Sequence, residues 1–118
     1  MIDFENVWLP QIVSYAALVR DQQLEDQWLG RSATLTSVTS PNELYVQVFD
    51  DLDADRIWAD ARQNAELSPQ ARDAIDRFLT ALRSIDEADA VKLMSSDAWV
   101  RIGEAANGVL ANVQAKAL

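Results

Sequence analysis

Ser68-Pro69-Gln70-Ala71-Arg72-Asp73-Ala74-Ile75-Asp76-Arg77-Phe78-Leu79-Thr80-Ala81-Leu82-Arg83-Ser84-Ile85 is the stretch whose periodicity decides the fold. Its first two residues are a start signal. The serine oxygen is able to accept from an orphan amide of the first turn, and proline has no amide hydrogen to lose there. Ala71, Ile75, Phe78, Leu82 and Ile85 then recur at steps of four and three, which places them on one face of a helix. The opposite face is polar, and Asp73 with Arg77 forms an i,i+4 pair of favourable orientation worth about 0.2–0.5 kcal/mol. An amphipathic helix with one face for a core and one for water follows from this stretch alone.

The same signals repeat outward from it. Ser40-Pro41-Asn42-Glu43 reads as a capping box, in which the glutamate reaches back to the cap residue. The helix it opens carries Leu44, Val48 and Leu52 on one stripe, with Tyr45 and Phe49 beside it. Residues 45–49 alternate as a strand would, and the cap decides for helix. Asp53 offers a second cap for a segment bearing Ile57, Trp58, Ala61 and Ala65, so residues 41–65 form two helices or one kinked helix.

Toward the amino end, Ile12, Ala16, Val19, Leu24 and Trp28 define a helix from Pro10 to Leu29, bent near Asp21 and closed by Gly30. Phe4, Val7 and Trp8 form a lead-in able to make a helical turn. Residues 31–39 are rich in Ser and Thr, with alternating Ala33 and Leu35; they read as an extended loop, with a short strand as the competing reading. Toward the carboxyl end, a short helix from Ala88 to Met94 follows Asp86 and is expected to bury Val91 and Met94. After the caps Ser95 and Ser96, a last helix carries Trp99, Ile102, Ala106, Val109 and Val113. Gly103 and Gly108 fall inside it at up to about 1 kcal/mol each relative to alanine, which points to close packing or a break.

These elements predict an all-α fold, a compact single-domain bundle of about five or six helices spanning residues 1–118. At 118 residues and 49% hydrophobic content the chain has apolar area for one core and is too short for two. The 19 acidic against 10 basic residues leave a net charge of −9 and an isoelectric point near 4.2. Phosphate neutralisation needs clustered Lys and Arg, so direct nucleic-acid binding is not expected. Anionic membrane surfaces repel such a chain, and no run reaches spanning length. The acidic start Met1-Ile2-Asp3-Phe4-Glu5 lacks a secretory pattern, which gives a cytoplasmic expectation.

The sequence has no histidine and no cysteine. That removes Ser–His and Cys–His nucleophilic mechanisms, thiolate metal sites and zinc motifs built on histidine. With Gly30, Gly103 and Gly108 as its only glycines, the chain has no phosphate-cradling loop. Asp51-x-Asp53-x-Asp55 resembles the opening of a calcium loop, but Arg56 stands where glycine is required and Arg62 where the bidentate glutamate belongs. No catalytic residue, metal ligand or cofactor is assigned, and the expectation is a protein that is not an enzyme.

What stands out is an acidic cluster: Glu43, Asp50, Asp51, Asp53, Asp55 and Asp60, opposed within that stretch only by Arg56. These residues are either solvated helix ends and caps that aid solubility, or a docking surface for a basic protein partner. Tyr45 and Trp58 flank the cluster, and each is either core or an aromatic anchor of an interface. Trp8 and Trp28 pose the same choice. The leading functional expectation is an inhibitor that binds protein, most concretely an immunity protein that covers the cationic cleft of a basic bacterial toxin such as a nuclease. Charge steering serves such a pair with association rates up to about 10⁸–10⁹ M⁻¹s⁻¹ at low salt. The alternative is a non-catalytic helical adaptor, chaperone or regulatory module that binds through an apolar groove; an acidic mimic of nucleic acid is a third reading.

Overall fold

Where serine precedes proline, the chain turns into a helix as the side chains dictate. In the computed structural model, which describes residues 3–33, 35–86 and 88–113, Ser68 Oγ accepts from the Ala71 amide at 3.1 Å and Ser40 Oγ from the Glu43 amide at 3.1 Å. Ser96 and Asp89 act alike, on the amides of Trp99 and Val91. Among the described residues the result is seven α-helices: α1 (Leu9–Arg20), α2 (Gln23–Trp28), α3 (Pro41–Val46), α4 (Ala54–Asn64), α5 (Pro69–Arg83), α6 (Ala90–Met94) and α7 (Asp97–Asn112). The fold is an all-α bundle, with two π-helical turns at Phe4–Trp8 and Gln47–Asp51. In each, an amide reaches the carbonyl five residues back: Trp8 to Asp3 at 2.9 Å and Leu52 to Gln47 at 3.0 Å.

The additional helix comes from the bend near Asp21. Gln22 adopts left-handed backbone, φ 59°, and separates α1 from α2. Gly30, at φ 74°, ends α2 where the cap glycine was expected. Residues 31–39 contain no strand among those described. Their polar backbone is held by side chains instead: Gln27 Nε2 donates to the carbonyls of Thr36 and Val38, and Trp28 Nε1 to that of Val38 at 2.9 Å. With these groups satisfied locally, no partner strand is required. Val38 is buried, whereas Leu35 is 73% exposed.

One cluster of buried side chains runs through all the helices. Helix α7 is its axis and packs along both α1 and α5. It contributes Trp99, Ile102, Ala106 and Val109, against Ile12, Ala16 and Val19 of α1 and Ile75, Phe78 and Leu82 of α5. Gly103 and Gly108 neither break α7 nor mark a tight crossing. A Cβ on Gly103 meets nothing within 4 Å, and one on Gly108 meets Ala74 Cβ at 4.0 Å, an ordinary contact.

Helix α6 departs from expectation. It starts at Ala90, capped by Asp89, and buries Leu93, while Val91 is 58% exposed and Met94 half-buried. Five residues hold little more than one turn, so periodicity alone does not fix which face turns inward. The capping box at Ser40 is also half-made. Glu43 Oε1 accepts from Gln47 Nε2 at 3.1 Å rather than returning to the cap.

Candidate protein-binding surface

The six acids of the cluster leave the backbone from three settings. Glu43 lies in the first turn of α3, Asp50 and Asp51 in the π-turn that ends that helix, and Asp53, Asp55 and Asp60 at the start and along α4. At roughly 100° per residue, Asp55 and Asp60 leave α4 about 140° apart. They therefore occupy opposite shoulders of the buried stripe formed by Ala54, Trp58 and Ala61.

The molecule's own cations engage part of this set. Asp53 adopts left-handed backbone, φ 48°, and occupies the cap position of α4 without a capping side-chain bond. Its carboxylate pairs with Arg56 instead. Asp55 pairs with Arg83 of α5, and the Arg83 guanidinium also lies 5.3 Å from the centre of the Phe49 ring. Asp60 Oδ1 accepts from Asn64 Nδ2 at 3.2 Å. Glu43, as noted, holds Gln47.

Gln47 is a buried amide with every reach taken. It accepts from the Tyr15 hydroxyl at 3.0 Å and donates to the Ser37 carbonyl at 3.1 Å as well as to Glu43. This junction fixes α3 and its π-turn against α1 and the 31–40 loop. It also reports where the negative charge lies: burial first, then the charges of Asp51 and Glu43, hold the Tyr15 hydroxyl above the usual tyrosine value. Asp51 and Glu43 are thus brought to one side of the helix, and Asp55 to the side facing Arg83.

Asp50 and Asp51 remain exposed, in a last turn that contains no basic residue. A helix carboxyl end carries about half a negative charge, so each carboxylate there is disfavoured by about 0.3–1 kcal/mol at low ionic strength. Asp53 and Asp55, at the amino end of α4, sit where the dipole favours them. The cluster therefore divides into four acids that local structure uses and two that it opposes.

The flanking aromatics divide as well. Trp58 is buried: it stacks on Trp8 at 5.8 Å with rings 2° from parallel, and Phe4 lies 6.2 Å away. Its indole donates to Asp76 Oδ1 at 2.7 Å, so it is a core residue and not an exposed anchor. Burial by itself would raise the Asp76 carboxyl, but hydrogen bonds from Arg62 and Trp58 and the Arg62 charge outweigh it and leave it below the usual aspartate value. Trp8 is fully buried, and Trp28 is half-buried against Trp99. Tyr45 is half-buried at the surface, its ring 4.7 Å from that of Phe49.

Depressions also mark this surface. One of about 210 Å³ is lined by Asn42, Tyr45, Ile85, Asp86 and Ala88. A groove of about 690 Å³ runs between α5 and α7 over Ala74, Ala81, Ala105 and Gly108. Its rim is charged, and two of its acids are already paired, Asp73 with Arg77 at 2.8 Å and Asp76 with Arg62 at 2.9 Å. Arg83 and Asp86 were not legible as site residues, because their proximity to Asp55 and Tyr45 exists only after α3, α4 and α5 pack, whereas Asn42 neighbours Tyr45 three residues along α3.

Among the described residues no group of three or more acidic side chains is placed to hold a metal ion, and no helix is long and apolar enough to cross a membrane. Comparison with protein-family models, with curated proteins and with solved structures found no match to this chain.

Proposed function

We propose that this protein binds a basic protein partner through the acidic end of the α3 helix, and that it acts in the cytoplasm as an immunity-type inhibitor of a cationic bacterial toxin, such as a nuclease. The observation that carries the reading is the position of Asp50 and Asp51. They are exposed, they lie in a last turn with no basic residue, and they oppose the helix dipole. Charge placed where the fold gains nothing from it supports a role outside the fold. A nuclease must display a cationic groove to hold phosphates, and an acidic domain of net charge −9 is steered onto such a groove. The adaptor alternative draws less support, since the groove between α5 and α7, though floored by Ala74, Ala81, Ala105 and Gly108, has a charged rim with pairs already formed.

The test starts with a partner captured from the source organism and follows association by stopped flow. The association rate is expected to fall by about tenfold or more between ~10 mM and ~0.5 M salt, as screening shortens the reach of the charges. The double substitution Asp50→Lys with Asp51→Lys is expected to slow association further while leaving the helical circular dichroism unchanged. A partner that is itself acidic, or a rate indifferent to both salt and charge reversal, would overturn the reading.

A further inference from the structure

The small depression beside Tyr45 brings together groups from two parts of the chain, the exposed pair Asn42 and Asp86 beside the packed side chains of Tyr45 and Ile85. Asn42 and Tyr45 come from consecutive turns of α3, and Ile85, Asp86 and Ala88 from the segment after α5. The Asn42 amide and the Asp86 carboxylate are exposed, and Ile85 and Ala88 add an apolar wall. At about 210 Å³ the space is below the about 300–1,000 Å³ usual for small-molecule sites. It suits one long side chain.

The molecule already holds a cation next door. Arg83 pairs with Asp55 and lies over Phe49, whose ring packs against Tyr45. The depression repeats that chemistry, with an aromatic ring, a carboxylate and an amide acceptor, but with no arginine of its own among the residues lining it. Guanidinium matches this set better than ammonium does, because it is planar, stacks on rings and donates to a carboxylate in a fork.

We infer that this depression is the receptor for a single arginine side chain of the basic partner, with the guanidinium between Tyr45 and Asp86, an acceptor in Asn42, and the stem along Ile85 and Ala88. The inference rests on the proposed binding of a basic protein and names the contact that gives that binding its register. Asp50 and Asp51 steer the partner in; the depression seats one of its residues.

The experiment titrates the isotopically labelled protein by NMR with three probes: N-acetyl-arginine methylamide, its lysine counterpart and a hexa-arginine peptide. The arginine compound is expected to shift the Tyr45, Asp86 and Ala88 signals saturably, with roughly fivefold tighter binding than the lysine compound. Asp86→Asn and Tyr45→Ala, each checked for folding by circular dichroism, are expected to remove those shifts. Hexa-arginine reports separately on Asp50 and Asp51. If it shifts their signals while those lining the depression stay still, the receptor is overturned and the acidic-surface reading stands. Saturation at the depression with silence at Asp50 and Asp51 supports the receptor and overturns charge steering by that turn. Equal response to lysine and arginine, or shifts that survive Asp86→Asn, overturns the receptor.

Discussion

Asp51 links stability, ionisation and the proposed binding role in one side chain. It lies in the last turn of a helix where negative charge is disfavoured, and its field bears on the buried Tyr15 hydroxyl. Asp51→Asn is therefore expected to stabilise the fold by about 0.3–1 kcal/mol at low salt, read as a higher urea midpoint. It is also expected to lower the titration point of Tyr15, followed by carbon NMR of that ring, with burial still holding it above the usual value. The sign of the pH effect follows. The Tyr15 hydroxyl is raised in the folded state, so its contribution is fully present below the unfolded value of about 10 and is lost as pH rises through the folded value. The substitution lowers the upper end of that alkaline window, so less stability is lost across it, while the onset near the unfolded value stays in place. No change in Tyr15 on replacing Asp51 would mean the carboxylate does not face α1.

At the scale of the element, glycines in two backbone settings give opposite expectations. Gly103 is inside α7 with open space where a Cβ would go, so Gly103→Ala is expected to stabilise by up to about 1 kcal/mol through helix propensity. Gly30 ends α2 at φ 74°, a conformation that L side chains reach only at a penalty of about 1–2 kcal/mol. Gly30→Ala is expected to destabilise by about that amount. Urea unfolding of the pair separates propensity from backbone strain, and a destabilising Gly103→Ala would show that α7 has a neighbour on that face. Helix starts were legible because a cap acts over three residues, as at Ser40, Ser68 and Ser96. The inward face of α6 was not, because a helix of barely more than one turn takes its orientation from what it packs against, here Leu93 rather than Val91.

Over the whole molecule, the net charge of −9 sets self-repulsion against what the ion pairs return. The pairs identified are exposed or partly so, and such pairs contribute about 0–1 kcal/mol each and weaken with salt. Self-repulsion of the surplus acids is screened by the same salt. Repulsion is expected to dominate, so raising sodium chloride from ~10 mM to ~0.2 M should raise the thermal midpoint by a few degrees. A falling midpoint would mean that pairs such as Arg83 with Asp55 carry more of the fold than their exposure implies.

Reading the chain alone settled the helical class, the positions of most helix starts and the main core residues of α1, α5 and α7, since caps and apolar periodicity act within a turn or two. It also located the acidic stretch, because charge is a property of composition. Only the packed molecule decided what those acids are free to do. Arg83 reaches Asp55 across 28 residues, the Tyr15 hydroxyl reaches Gln47 across 32, and Trp58 is drawn inward to Asp76 across 18. Such long-range pairings depend on how helices cross, and they separate Asp50 and Asp51, exposed at a helix end, from neighbours already committed to the fold.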